Sequence, residues 1–102
     1  MLNDVRAGLR LDVRGSWARY GVKPDLGAYS KAIANGWPLA AVAGSLTMIE
    51  GDSKVFVTGS FWLGSAAMAA GLKTLEILRT TDALAHIEAM GERFRKGLAA
   101  VA

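Results

Sequence analysis

A single lysine at the end of an apolar run, directly before a tight turn, constrains the fold of this 102-residue chain more than any other feature. The stretch reads Ser30-Lys31-Ala32-Ile33-Ala34-Asn35-Gly36-Trp37-Pro38. Asn35 and Gly36 both tolerate positive φ, and Pro38 restricts the residue before it to extended backbone. The pattern therefore predicts that a strand over residues 26–30 ends at a bend, and that this bend holds Lys31.

The residues on both sides of Lys31 are largely apolar, which predicts dry surroundings for its amine. Burial disfavours the ammonium form of a lysine, so the neutral amine becomes available as a nucleophile or a base. Such an amine is suited to forming a Schiff base with a carbonyl compound. On residue type alone, a surface lysine whose stem covers apolar area while its head reaches water is the commoner case.

Composition excludes several classes of protein. A hydrophobic fraction of 52% with 21% charged residues excludes a disordered tail. The net charge of +3 is mild and the basic residues are dispersed, so no nucleic-acid surface is expected. The chain has no cysteine and one histidine, and we predict no metal site. No apolar run is long enough to span a bilayer, and the first residues lack the features of a signal peptide, so we expect a soluble, cytoplasmic protein.

Strands and helical turns are predicted for the first half of the chain. Ser16 is expected to cap a helical turn that ends at Gly21. Further predictions are a buried strand over residues 39–43, a helical turn over residues 46–50, and another strand over the β-branched and aromatic residues 54–58.

Two long helices are predicted for the second half. Ser65 is a candidate N-cap for a helix over residues 66–79, whose alanine-rich first half is apolar all round and must be buried. Thr81 and Asp82 begin a second, amphipathic helix that runs to about Val101. Strands followed by helices indicate an α/β layer.

The first residues indicate that this layer is incomplete. Met1 and Leu2 read as the end of a buried strand, with Asn3 and Asp4 at its carboxyl end. A strand this short is stable only if it pairs with neighbours, which we expect to lie outside this chain. We therefore interpret the chain as a fragment of a larger protein.

Three motifs together carry a resemblance to a known family. They are Tyr20-Gly21-Val22-Lys23-Pro24-Asp25-Leu26, the lysine stretch at residues 30–38, and Val42-Ala43-Gly44. In their order and spacing they resemble the lysine region of the class III pyridoxal-phosphate (PLP) aminotransferases, most closely the glutamate-1-semialdehyde 2,1-aminomutase-like branch. The resemblance runs from about Leu2 to the end of the chain.

The resemblance implies an α/β fold. The chain would be an incomplete piece of the PLP-transferase (aspartate aminotransferase-like, fold type I) large domain, with short strands followed by two long helices. Residues 1–80 would belong to the PLP-binding large domain. Residues 81–102 would form a helix leading out of it toward the C-terminal domain.

The resemblance also implies roles for five residues. Lys31 matches the lysine that forms the Schiff base with pyridoxal 5'-phosphate and then moves a proton on the substrate. Residues 3–10 resemble the family motif Asp-Asp/Glu-Val-Arg-x-Gly-Phe-Arg, which places Asn3 where the family has its pyridine-binding aspartate, Asp4 at the acidic residue beside it, and Val5 under the cofactor ring. Ser60 matches a hydroxyl that reaches the cofactor phosphate of the partner subunit.

Asn3 departs from the family pattern. Its amide is neutral and does not hold a proton on the ring nitrogen by charge, so the cofactor would be a weaker electron sink. Either Asp4 takes over this role or activity is impaired. We do not expect Asp4 to do so, because neighbouring residues of a strand point to opposite faces.

The family implies an enzyme that moves an amino group within or between small amino and oxo compounds, acting as a homodimer with its active sites at the interface. Three alternatives remain open: a 2,1-aminomutase, an intermolecular transaminase with an oxo-acid acceptor, and an inactive, truncated or degenerate homologue that acts only as an interaction module. The 102-residue chain alone is expected to bind the cofactor weakly or not at all and to be inactive.

Overall fold

Three short strands in the first half of the chain form one sheet, and two helices make up most of the second half. The computed structural model describes residues 1–48, 51, 54–62 and 64–101. The strands are β1 (Leu2–Asn3), β2 (Leu26–Tyr29) and β3 (Ala41–Gly44), and they lie in the order β1-β2-β3.

β1 and β2 run parallel, with Leu2 opposite Gly27 and Asn3 opposite Ala28. One pairing partner of β1 thus lies within this chain, so the expectation that its neighbours lie outside is wrong for that side. β3 returns antiparallel to β2. Because the carboxyl ends of parallel strands meet at one edge of a sheet, the residues that follow β1 and β2 share an edge.

Three short 3₁₀-helices punctuate the first half, at Ser16–Tyr20, Lys31–Ile33 and Leu46–Met48. The first ends at Gly21, in the left-handed conformation with φ 66°, as predicted. Ser16 does not cap it, because the residue before the helix is Gly15 and no side chain provides a cap bond. The rest of the turn predicted over residues 46–50 lies outside the described residues.

The two long helices are α1 (Ser65–Thr80) and α2 (Ala83–Ala99), each within two residues of its predicted bounds. Gly64 precedes α1 without a side-chain cap bond, and Ser65 is already helical, so the prediction of Ser65 as N-cap is wrong. No helix of the described residues combines the length and the hydropathy that a membrane crossing requires.

Little of either helix is buried. In α1 the buried residues are Ala67 and Gly71, and Leu72 is 71% exposed, so the prediction of a buried first half is wrong for this chain. A Cβ on Gly71 would lie 2.8 Å from Leu39 Cδ2, which shows how closely the helix approaches the loop before β3. The helix therefore makes its closest approach through small residues, while Leu75 and Leu78 are partly buried and Leu72 is largely exposed.

The segment at residues 54–58 has turn, bend and irregular backbone instead of the predicted strand. Phe56 is 89% exposed and Val55 is 63% exposed. A β-branched and aromatic sequence forms a strand only when a neighbouring edge accepts its hydrogen bonds. Residues 54–58 pair with none of the three described strands.

Candidate functional site

Lys31 lies just beyond the carboxyl end of β2, at the predicted bend. Its backbone is left-handed, with φ 50°, and Asn35 and Gly36 follow with φ 46° and 114°. A residue with a side chain adopts this conformation at a cost of about 1–2 kcal/mol, so the surrounding structure must hold it there. The backbone fixes the direction in which the lysine side chain leaves the strand end.

Hydrogen bonds on both sides hold this bend. Ser30 Oγ donates to the carbonyl oxygen of Leu39 at 2.9 Å, which ties the end of β2 to the loop before β3. The Asn35 N–H donates to the Lys31 carbonyl oxygen at 3.1 Å, and Ala34 is 2% exposed and anchors the turn. Lys31 therefore lies in a turn that hydrogen bonds stabilise on both sides.

The side chain of Lys31 is exposed, so the prediction of dry surroundings is wrong for these residues taken alone. Apolar neighbours in the sequence bury an amine only if other parts of the fold cover it. Val42 in the antiparallel strand β3 is itself 67% exposed. The described residues thus form one wall of a site and leave the opposite side open.

Asn3 closes β1 at the same sheet edge. It is exposed, and its Oδ1 accepts a hydrogen bond from the Val5 N–H at 3.2 Å. Val5 is partly buried immediately beyond it. The fold thus brings Asn3, Val5 and Lys31 to the carboxyl ends of two neighbouring parallel strands.

Asp4 is buried, and its side chain is hydrogen-bonded to Ser16. It is 1% exposed, and its two carboxylate oxygens accept hydrogen bonds from the Ser16 N–H at 2.7 Å and the Ser16 hydroxyl at 2.5 Å. Gly15 makes room for this contact, because a Cβ there would lie 2.8 Å from Asp4 Oδ2 and would clash with Trp17 Nε1. The carboxylate therefore joins the end of β1 to the first 3₁₀-helix.

Sequence reasoning missed this anchoring role of Ser16. The serine lies twelve residues from its partner, and nothing in the intervening sequence marks the pair. The glycine directly before Ser16, at a φ of 129°, is the only local signal of a close approach that we find in the described residues.

Ser60 lies in a different part of the structure. It lines an open groove of about 520 Å³ with mostly apolar walls, together with Ser30, Leu39, Trp62 and Met68 among others. Lys31 and Asn3 do not line this groove. Ser60 thus shares this groove with Ser30, the residue before Lys31. Among the described residues, it does not share a cavity with Lys31 and Asn3.

Three carboxylates elsewhere in the described residues have a pKa below the usual range of their residue types. The largest cause is in each case a side-chain hydrogen bond from an arginine. The pairs are Asp12 with Arg14, Glu88 with Arg19, and Glu92 with Arg95. The second pair is bidentate, with both N···O distances 3.0 Å, and ties α2 to the first 3₁₀-helix. These groups are ion pairs that support the fold.

Known proteins match the chain over nearly its whole length. The family model for class-III aminotransferases matches residues 14–102. The chain is 42% identical over 100 residues to the aminopentol aminotransferase of Sphingopyxis macrogoltabida, covering 98% of this chain and 24% of that protein. It is 34% identical over 105 residues to the glutamate-1-semialdehyde 2,1-aminomutase of Halobacterium salinarum, covering 97% of this chain and 23% of that protein.

A solved structure matches as well. The PLP internal aldimine form of the FumI protein from Sphingopyxis sp. MTA144 superposes with a TM-score of 0.90 at 43% identity, over 96% of this chain and 24% of that chain. The chain thus spans about a quarter of the length of these relatives. The predicted fold class, part of an α/β fold type I domain with short strands followed by two helices, is confirmed. By sequence and by fold, this chain belongs to the class-III aminotransferase family.

Proposed function

We propose that these residues are the lysine-bearing part of a larger PLP-dependent enzyme that moves an amino group in small amino and oxo compounds. The observation that carries the proposal is the position of Lys31 and Asn3 at the carboxyl ends of adjacent parallel strands. Ligands of open α/β sheets bind at such an edge. The family and the PLP-bound relative support the same cofactor for this chain.

The chemistry of the donor set fits this cofactor. When bound, PLP supplies an aldehyde carbon that bonds to an amine and a ring that withdraws electrons from the substrate. Lys31 offers an exposed amine to hold the aldehyde carbon, and Val5, which follows β1 at the same sheet edge, offers an apolar side chain for the ring. Ser60 offers an exposed hydroxyl for a phosphate. Asn3 stands opposite the ring nitrogen in this assignment.

Lys31 has two tasks in this account. Its Nζ first holds the cofactor in place. Once free of the cofactor, the same Nζ would act as a base that removes a proton from the substrate carbon and returns it elsewhere. The left-handed backbone of Lys31 supports this second task, because it directs the side chain from a fixed point at the strand end.

A second subunit would complete the site. Ser60 belongs to a segment with large exposed apolar side chains: Phe56 is 89%, Phe61 74% and Trp62 57% exposed. Several exposed aromatic side chains in one short segment favour a protein interface. We therefore propose a homodimer in which the Ser60 hydroxyl donates to the phosphate held by the partner subunit, in a cytoplasmic enzyme.

Two reactions fit this site, and identity favours one of them. The chain is 42% identical to an aminotransferase and 34–35% identical to three aminomutases. Transfer between two molecules is therefore the leading candidate, and the 2,1-aminomutase reaction is the second. An assay of the full-length protein with and without an external oxo-acid acceptor separates them, because only the transfer between molecules depends on the acceptor.

The experiment for the function itself replaces the lysine. In the full-length holoenzyme, Lys31→Ala is expected to reduce amino-group turnover to background. Lys23→Ala is the matched control, because Lys23 is also exposed but precedes β2, at the opposite end of that strand. Turnover retained in Lys31→Ala would contradict the proposal. An intact fold with no turnover in the unaltered protein would favour the inactive homologue instead.

A further inference from the structure

Asn3 holds its side-chain amide in one orientation. Oδ1 accepts the hydrogen bond from the Val5 N–H at 3.2 Å. A flipped amide would point its NH₂ group at that N–H, so that two donors would face each other and the bond would be lost. The side chain therefore turns Oδ1 toward the backbone and points its two Nδ2 hydrogens away from it, where they can meet another partner.

This orientation decides which form of a pyridine ring Asn3 complements. An unprotonated ring nitrogen is an acceptor, and a protonated ring nitrogen is a donor. Resting on the proposed function, we propose that Asn3 donates from Nδ2 to the ring nitrogen of PLP and that this nitrogen is unprotonated. A hydrogen bond to the neutral form disfavours the charged form, so Asn3 acts in the opposite sense to a carboxylate at the same place.

The neighbouring carboxylate does not reverse this effect. Asp4 follows Asn3 directly, but its side chain is 1% exposed and both of its oxygens are bonded to Ser16. To reach a ligand at the exposed strand end, Asp4 would have to break both bonds and change the face of the strand to which it points. Of these two neighbouring residues, Asn3 is therefore the one that would face the ring nitrogen.

The protonation state of the ring nitrogen affects how strongly proton removal depends on Lys31. An unprotonated ring withdraws less electron density from the substrate carbon. Removal of the proton from that carbon then depends more strongly on the basicity and the placement of Lys31. The well-anchored bend beneath Lys31 fits this requirement.

Nuclear magnetic resonance of PLP labelled with an isotope at the ring nitrogen tests the inference directly. In the full-length holoenzyme, the unaltered protein is expected to show the resonance of an unprotonated ring nitrogen, and Asn3→Asp that of a pyridinium. Asn35→Asp is the matched control, because it makes the same chemical change in the turn beyond Lys31, where Asp also tolerates the left-handed backbone. It is expected to match the unaltered protein.

The outcomes separate this inference from the proposed function. A pyridinium resonance in the unaltered protein, with the cofactor bound through Lys31, would overturn the inference and leave the proposed function standing. Failure of the labelled cofactor to bind, or its attachment to another lysine, would overturn both. The spectrum of the unaltered protein decides the question even if Asn3→Asp does not fold.

Discussion

Separated from the rest of its fold, the 102-residue chain is expected to lose its structure. It exposes 7901 Å² of surface, whereas a folded protein of its mass, 10.8 kDa, exposes about 5,500 Å². Its radius of gyration is 15.9 Å, compared with about 13 Å for a compact domain of this length. The excess of about 2,400 Å² is as large as a substantial protein interface.

The free energy that burial of this excess surface would provide is larger than the free energy of unfolding of an ordinary domain. With about 57% of the excess taken as apolar, and about 25 cal/mol for each Å² buried, the missing burial corresponds to about 34 kcal/mol as an upper bound. Folded domains are stable by about 5–15 kcal/mol in total. Even half of the missing burial is thus enough to unfold the separated chain.

A urea titration, monitored by near-ultraviolet circular dichroism and tryptophan fluorescence, shows whether the separated chain is folded. The separated chain is expected to show no cooperative transition and, after incubation with PLP and borohydride, no stoichiometric labelling of Lys31. The full-length protein is the control and is expected to show both. A cooperative transition of the separated chain, with a slope of at least about 1 kcal/mol/M, would refute the reasoning, as would stoichiometric labelling.

Three further predictions concern the full-length protein. Gly15→Ala is expected to lower the free energy of unfolding by about 2–3 kcal/mol, because the backbone there is strained for any side chain and the added Cβ would clash. Gly21→Ala should lower it by about 1 kcal/mol, because no atom lies within 4 Å of the added Cβ. Equal shifts of the two urea midpoints would contradict this. Asp4→Ala is expected to lower the free energy of unfolding by about 3 kcal/mol, because it leaves the Ser16 N–H and hydroxyl without their acceptor. A decrease below about 1 kcal/mol would show that Asp4 does not anchor the first 3₁₀-helix. Glu88 has a lowered pKa in the folded state, so its ion pair stabilises the attachment of α2 above the ordinary glutamate pKa of about 4.3, and this stabilisation is lost as the pH falls through the lower folded value. Glu88→Gln should remove that part of the acid dependence, measured by amide hydrogen exchange of α2, and superimposable pH profiles would count against the pair.

Local features of the fold were predictable from the sequence where local chemistry decides them. Asn35 and Gly36 adopt the positive φ values that their types predict, and Gly21 ends the first 3₁₀-helix. The two long helices also begin and end within two residues of the predicted positions. Backbone preferences and helical periodicity determine these features without help from distant residues.

Features that depend on distant contacts were not predictable in this way. Residues 54–58 have the composition of a strand, but no described strand edge pairs with them. Lys31 has apolar neighbours in sequence, yet nothing in the described structure covers it. The bonds between Asp4 and Ser16 join residues that no sequence pattern links. In each case the outcome is decided by what packs against the segment.

The covalent site of PLP in the full-length protein tests the central claim most directly. Borohydride reduction of the holoenzyme, followed by peptide mapping, locates the lysine that carries the cofactor. We predict one modified peptide, the one that contains Lys31, and none at the exposed Lys23 or Lys73. Modification of any other lysine, or a holoenzyme without a lysine-bound cofactor, would contradict the account.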